Sequence, residues 1–410
     1  MKVLWISILE LNPVKSYFHM GKSFQGGWID SMYAKLKGCK DVELAVICPG
    51  PVKELTELNI EGGHFYIFPF KELNGKGEKV KEWMRQINQT FSPDVVHIHG
   101  SEFRHGLNWV KSNGYRGVFV SIQGLISEIA KYFTGGLEGC DVKQTFRDII
   151  RADGMKAQQK KFYLRGKDEK ELLRGIKYVG GRTSWDYAHT RELSPNSVYF
   201  KVGEILRESF RKGEKWSFNG CTPHTVFMSQ GEFPYKGLHK VIQALQIVKR
   251  EYPGVQLRVA GYFPDKRSFI LCGGYARFIR ELIRETGLEG SIKFLGILSE
   301  EEMLKEYMKA NLFISASSIE NSPNSLGEAM MVGTPVLSSY CGGAPDMLKD
   351  YPESLYRFEE ETELAWKIIR LFQDKDKIAS PVIKKEMYDA DENLNQLLEA
   401  YRVISERKEE

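Results

Sequence analysis

The most chemically suggestive stretch of this 410-residue chain is a loop with two carboxylates, Ser317-Ser318-Ile319-Glu320-Asn321-Ser322-Pro323-Asn324-Ser325-Leu326-Gly327-Glu328-Ala329-Met330. An apolar strand pattern precedes it and a helical pattern follows. Seven residues separate Glu320 from Glu328, with Pro323 in the turn between them. Such a turn leaves backbone N–H groups unpaired at the start of the helix, where they suit phosphate oxygens. A carboxylate ahead of the helix can accept hydrogen bonds from sugar hydroxyls, and one on its first turn can hold a ribose diol with both oxygens. Plainer readings exist. Ser325 and Glu328 have the S-x-x-E spacing of a capping box, and a loop acid such as Glu320 is by default solvated.

Further groups stand at the ends of other strand patterns. Lys236 lies in Phe233-Pro234-Tyr235-Lys236-Gly237-Leu238, where a strand turns into a helix. A cation there can neutralise a diphosphate as it leaves, although a loop lysine before a glycine is most often a solvated charge. Gln25-Gly26-Gly27-Trp28 follows the first strand, and its paired glycines allow close backbone approach to a phosphate or sugar. His99 ends the strand Val95–Ile98, with His97 deeper on the same face as a core residue. Gln123 ends the next strand, and Arg182 ends the one after. Arg182 can bind an anionic acceptor or form a surface pair with Asp186 at helical spacing. Glu204-Ile205-Leu206-Arg207 has no role legible in the sequence.

The carboxylate loop resembles the E-x7-E motif of the retaining GT-B glycosyltransferases, in particular family 4. The likeness runs through Phe294-Leu295-Gly296, the strand Leu312–Ser315, Gly333-Thr334-Pro335-Val336 and Gly342-Gly343. It implies two Rossmann-like domains facing each other across a cleft, with a nucleotide-diphosphate sugar held mainly by the second. By that resemblance Glu320 contacts the donor sugar, Glu328 the ribose, and the amides of Asn324, Ser325 and Leu326 the sugar and diphosphate. Lys236 takes the place of the lysine in the family's R-x-x-x-x-K-G element, while Gly26 and Gly27 approach the donor phosphates. Glu320 and Lys236 are the expected catalytic residues; His99, Gln123 and Arg182 are expected on the acceptor side. Two departures stand out: Gly231 occupies the position of the family arginine, and Gln123 that of a frequent histidine. The resemblance further implies hexosyl transfer with retention of configuration and without metal or cofactor, in cell-surface polysaccharide or glycan assembly. The acceptor would be a sugar, a glycan or a lipid-linked saccharide.

These residues need elements to hold them. Short apolar runs at Val3–Ile8, Val42–Cys48, Phe65–Phe68, Val95–Ile98, Val118–Ile122 and Tyr178–Gly180 read as strands of the first half. Thr225–Ser229, Gln256–Ala260, Ile292–Leu295, Leu312–Ser315 and Pro335–Ser338 read as strands of the second. Helical stripes fill the gaps, such as Leu238, Val241, Ile242, Leu245 and Val248. Strand–helix alternation predicts parallel sheets covered by helices, and ligands then bind beyond the carboxyl ends of strands. The alternation breaks between about 200 and 223, which predicts domains at 1–203 and 204–383. A C-terminal helix within 384–410 is free to pack back on the first domain.

Composition narrows the class. A net charge of +4, from 58 Lys+Arg against 54 Asp+Glu, excludes a strongly basic nucleic-acid binder. Six scattered cysteines carry no metal or redox spacing, as expected of a reducing compartment. No run reaches the ~18 apolar residues that cross a bilayer, so a cytoplasmic protein is expected, at most peripheral to the inner membrane surface. The basic run from Lys156 to Lys177 could meet anionic lipid, but interspersed Asp168, Glu169 and Glu171 also suit a solvated helix. Three rivals share these residues. A glycosidase would need its carboxylates about 5–10 Å apart across a sugar ring. A nucleotide-sugar epimerase would need an acid–base set not evident here. A non-catalytic nucleotide-sugar-binding protein would fit the two departures.

Overall fold

The structure, a computed structural model, describes residues 1–21, 26–263, 272–373 and 389–406. Among these residues two sheets form. The first contains β1 (Lys2–Ile6), β2 (Glu43–Gly50), β3 (Thr56–Ile60), β4 (Gly63–Pro69), β5 (Val95–His99), β6 (Val118–Ser121), β7 (Tyr178–Gly181) and β8 (Val198–Lys201). Their order is β3-β4-β2-β1-β5-β6-β7-β8. The second contains β9 (Thr225–Met228), β10 (Gln256–Ala260), β11 (Ile292–Gly296), β12 (Leu312–Ser315), β13 (Val336–Ser339) and β14 (Leu355–Tyr356), ordered β11-β10-β9-β12-β13-β14.

The strands are parallel except at one edge, where β3 runs antiparallel to β4. Glu61 and Gly62 join that pair with φ of 51° and 70°, the left-handed pair that turns a tight hairpin. The sequence reading contains neither β3 nor β8 nor β14. All three are edge strands; β3 is of mixed polarity and β14 only two residues long, so their apolar signal is weak, while the short apolar run of β8 runs directly into the break in the alternation. Central strands behave differently. In β1, Val3 and Trp5 enter one core cluster and Leu4 and Ile6 another, because successive side chains point to opposite faces and both faces are covered.

The chain divides into two compact units. Unit 1 comprises Met1–Ser127, Leu164–Arg207 and the C-terminal helix; unit 2 comprises Glu128–Tyr163 and the described part of Glu208–Ile383. The segment 128–163, which the sequence reading keeps within 1–203, therefore clusters with unit 2. The cause is apolar: Phe133, Val142 and Met155 are buried in the same core as Val226, Leu238 and Ile242. Phe133 also sits among Phe162, Phe233 and Tyr235, with ring centroids 4.8–6.3 Å apart. Residues 200–203, read from sequence as part of a connection, instead finish β8 and continue within unit 1 to Arg207.

The C-terminal helix spans Ala390–Glu406 and packs on unit 1; the start expected for it, 384–388, lies outside the described residues. Its Tyr401 hydroxyl accepts from Trp5 Nε1 at 2.8 Å and meets His97 Nδ1 at 2.6 Å. No helix among the described residues is long and apolar enough to cross a membrane.

Along its parallel strands each sheet has one point where the chain reverses its direction of growth: between β1 and β5 in unit 1, and between β9 and β12 in unit 2. In sheets of this kind the loops leaving adjacent strands diverge at that point, and ligands bind beyond the carboxyl ends.

Candidate functional site

In unit 2, Lys236 follows β9 and Glu320 follows β12, so both leave the switch point of the sheet. They form an ion pair, with side chains 16% and 20% exposed. Burial opposes the charge on Lys236, but Glu320, Tyr235 and Glu232 outweigh it and hold the ammonium above its ordinary range. Ser317 Oγ donates to Glu320 Oε1 at 3.0 Å.

Two glycines lock this pair. Gly237 ends the short turn Pro234–Lys236 with φ of 73°, and a Cβ there would overlap the Ala316 carbonyl at the end of β12. The Ser318 amide donates to Tyr235 O at 2.7 Å, joining the two loops. Gly342, with φ of 51°, lies so close to Glu320 O that no side chain fits, and the Gly343 amide donates to the same oxygen at 3.2 Å. Positive φ together with backbone contact explains why glycine is required at both places.

The helix after Glu320 runs Asn324–Val332, and its N-cap is Pro323, with no side-chain cap. The capping-box reading of Ser325 and Glu328 is thereby excluded, since both lie inside the helix. Asn324 and Ser325 hold the first two positions, where amides have no partner within a helix. Leu326 differs from expectation: its amide donates to Pro323 O at 3.0 Å and its side chain is buried. Glu328 is the fifth residue, one turn deeper than expected, and buried; Tyr307 donates to its Oε2 at 3.2 Å. The Asn324 Oδ1 is buried without a hydrogen-bond partner.

Gly231 is closely packed: a Cβ would lie 2.9 Å from Leu238 Cδ2 and 3.1 Å from Val259 Cγ1, so a larger residue there requires these side chains to shift. Its neighbour Glu232 was missed in the sequence. Burial pushes that carboxyl up, with Lys236 opposing, and its Oε2 is buried without a hydrogen-bond partner. The only signal for it was adjacency to the Lys236 turn.

In unit 1, His99, Gln123 and Arg182 come together with Trp28 and Glu204 around a cavity of about 20 Å³, room for one water. Asp186, expected as the surface partner of Arg182, is fully buried. That aspartate belongs to the capping box of Thr183 and accepts from the Arg182 backbone amide at 2.9 Å. The guanidinium instead pairs with buried Glu204 and donates to Gln123 Oε1 at 3.3 Å. Glu204 is thus the second residue missed, because 22 positions of chain separate it from Arg182 and no local spacing links them.

His99 is buried against Trp5, Trp28 and His97, with ring centroids 4.4, 5.7 and 3.8 Å away. Burial, helped by His105, depresses its pKa to about 3. His97 is a core residue, bonded to Tyr401 and Ser121. In the loop after β5, burial and Glu169 raise the Glu102 carboxyl to about 7.

Gly26 has φ of 87° and caps the helix Gly27–Lys37; Gln25 of the same motif lies outside the described residues. The Arg207 side chain packs directly against Gly27. Among the described residues no group of three or more His, Cys, Asp or Glu is placed to hold a metal ion.

Residues 214–390 match the family model of the glycosyl transferases, group 1. That segment contains Lys236, Glu320, Glu328 and both locking glycines. An amylovoran biosynthesis glycosyltransferase of Erwinia amylovora is 27% identical over 178 residues, 42% of this chain and 41% of the relative. A putative colanic acid biosynthesis glycosyltransferase of Escherichia coli K12 is 28% identical over 169 residues, 39% of each. The chain thus matches about two fifths of the length of these relatives. Among solved structures, Anabaena HepE in complex with UDP-glucose superposes with a TM-score of 0.64 at 16% identity, covering 99% of both chains. Sucrose-phosphate synthase from Thermosynechococcus elongatus gives 0.62 at 16% identity, covering 99% of this chain and 96% of the other. The fold is therefore that of the GT-B glycosyltransferases, two α/β units, one with a mixed sheet and one with a parallel sheet.

Proposed function

We propose that this protein is a glycosyltransferase of polysaccharide assembly, moving a hexosyl-type sugar from a nucleotide-diphosphate donor to an acceptor hydroxyl with retention of configuration. The observation that carries the reading is the Lys236–Glu320 pair at the switch point of the unit 2 sheet, one turn ahead of a helix start. The match of residues 214–390 to group 1 glycosyl transferases supports the activity. The names of the amylovoran and colanic acid relatives support polysaccharide assembly, and a neighbour of the same fold bound to UDP-glucose supports the donor class.

In this reading the Lys236 ammonium and the amides of Asn324 and Ser325 meet the charge that develops on the leaving diphosphate. Glu320, freed in part as Lys236 turns to phosphate, accepts hydrogen bonds from the donor sugar. Glu328 accepts from the ribose, with Tyr307 holding its orientation. Gly26 and Gly27 allow backbone approach to the phosphates; His99, Gln123 and Arg182 are the acceptor-side groups. The Leu326 amide drops out of the phosphate set because it is already paired. The chemistry runs on these cationic and dipolar groups, so transfer is expected to persist when divalent ions are chelated.

The test begins with a panel of nucleotide-diphosphate sugars. The cognate donor should raise the melting temperature of the full chain and then yield a glycoside with the donor's anomeric configuration when acceptors are supplied. Free sugar released at full rate without acceptor would replace this reading with a hydrolase, and donor isomerisation with an epimerase. Donor binding without any transfer would leave a binding protein.

A further inference from the structure

Away from these loops, one surface helix has its polarity inverted. The helix Phe146–Arg151 is fixed to unit 2 by its polar side. Thr145 Oγ1 donates to Cys272 O at 3.1 Å, and Asp148 accepts from the amides of Thr145 at 3.0 Å and Gly274 at 2.8 Å. Asp148 is 3% exposed, yet Phe146, Ile149 and Ile150 are 69%, 64% and 68% exposed. Spacing of three and four puts these three side chains on one helix face, the face that a helix of a globular protein normally buries. Apolar residues exposed singly need no explanation, but a clustered set marks an interaction surface.

Within the stretch of chain that carries this face, from Lys143 to Lys161, the exposed charges have one sign. The exposed charged residues from Lys143 to Lys161 are Lys143, Arg151, Lys156, Lys160 and Lys161. The two acids of the stretch, Asp148 and Asp153, are engaged by Arg147 at 3.2 and 3.0 Å. Exposed Glu138 and Asp141 lie before the stretch begins. Further along the same basic run, Glu169 is buried and Asp168 and Glu171 pair with Arg104 and Lys111, each at 2.6 Å.

We infer that the helix Phe146–Arg151 docks this protein on an anionic lipid surface. Phe146, Ile149 and Ile150 enter the boundary between headgroups and acyl chains, while Lys143, Arg151 and the lysines that follow face the headgroup phosphates. A second copy of the chain is the poorer occupant. In a two-fold contact the patch would meet itself, and five positive side chains would oppose five others. This placement moves the membrane contact expected from the basic run 156–177 to an apolar anchor just ahead of it. It does not rest on the transferase reading, because lipid binding is measured without turnover.

Sedimentation of the full chain with vesicles tests it. Vesicles of phosphatidylglycerol and phosphatidylcholine should carry the protein down, pure phosphatidylcholine should not, and moderate salt should weaken the binding. Replacing all three apolar residues (Phe146→Ser, Ile149→Ser, Ile150→Ser) should lower the partition coefficient at least about tenfold while leaving the melting temperature unchanged, since a short apolar anchor and basic residues act together. Lys143→Gln with Arg151→Gln and Lys156→Gln should weaken binding and flatten its salt dependence. The inference is overturned if anionic vesicles do not bind the chain, or if the triple-serine protein binds them undiminished. It is equally overturned if the chain is a dimer that the serine substitutions split, which would assign the face to a second copy.

Discussion

Each unit carries a partly or wholly buried ion pair at strand-end loops, and the two pairs are built for different ends. In unit 2, Lys236 and Glu320 keep 16% and 20% of their side chains exposed and are aimed by backbone locks at Gly237 and Gly342. In unit 1, Arg182 and Glu204 keep 10% and 4%, and the space beside them holds about 20 Å³. A pair that stays accessible can exchange its partner for a ligand; a pair sealed in a filled cavity mainly sustains its own neighbourhood. The contrast separates an accessible pair, which the proposed chemistry uses directly, from a sealed one, in which Glu204 fixes the Arg182 guanidinium beside Gln123 on the proposed acceptor side.

Substitutions can break that contrast, beginning with the sealed pair. Arg182→Ala leaves the Glu204 carboxylate buried without its cation, which should cost about 3–5 kcal/mol in urea unfolding. The double change Arg182→Met with Glu204→Leu should recover most of that loss, because well-packed apolar residues can replace a buried pair. If Arg182→Ala unfolds like the parent, the pair is not structural and the comparison fails.

Lys236→Ala should behave in the opposite way. Transfer is expected to fall by about 10²–10³ in kcat, the range for removing one preorganised group that meets developing charge, with a smaller effect on unfolding than Arg182→Ala. Glu320→Gln should follow the same pattern. Near-normal turnover in both variants, with the cognate donor, would remove unit 2 from the chemistry.

Next in size are the locks. Gly342→Ala places a methyl against Glu320 O at a left-handed φ and should destabilise by about 1–3 kcal/mol, with turnover reduced as Glu320 shifts. Gly237→Ala should do likewise through the Ala316 carbonyl. Unchanged melting and turnover in both would show that the pair holds its position without them.

A pH dependence sharpens the unit 1 side. His99 is held neutral with a pKa depressed from 6.5 to about 3, so the unfolded chain takes up its proton first as the pH falls. The stability this neutral histidine confers is complete above about pH 6.5 and declines toward pH 3, by at most about 1.4 kcal/mol per pH unit. His99→Asn should flatten that acid slope relative to the parent. Glu102, raised to about 7, acts in the opposite sense above its ordinary range and remains in both proteins, so the difference between them isolates His99. Identical slopes would mean that His99 is not sealed from water.

Local pattern was enough for much of this. Apolar runs bounded by turn residues specify the central strands, and their alternation with helical stripes specifies two α/β units, because a strand buried on both faces has no other composition available to it. The Lys236 and Glu320 loops were likewise legible, since each is a short polar interruption directly after such a strand. Tertiary contacts decided the rest. Which unit owns residues 128–163 depends on where Phe133 finds a core. Which acid answers Arg182 depends on a contact made across the fold, and whether Ser325 caps a helix depends on where Pro323 lets that helix begin. Periodicity reports what a residue does to its near neighbours along the chain. Partners brought together by folding leave no such periodic trace, so Glu204, Glu232 and the outward face of Phe146, Ile149 and Ile150 emerged only in three dimensions.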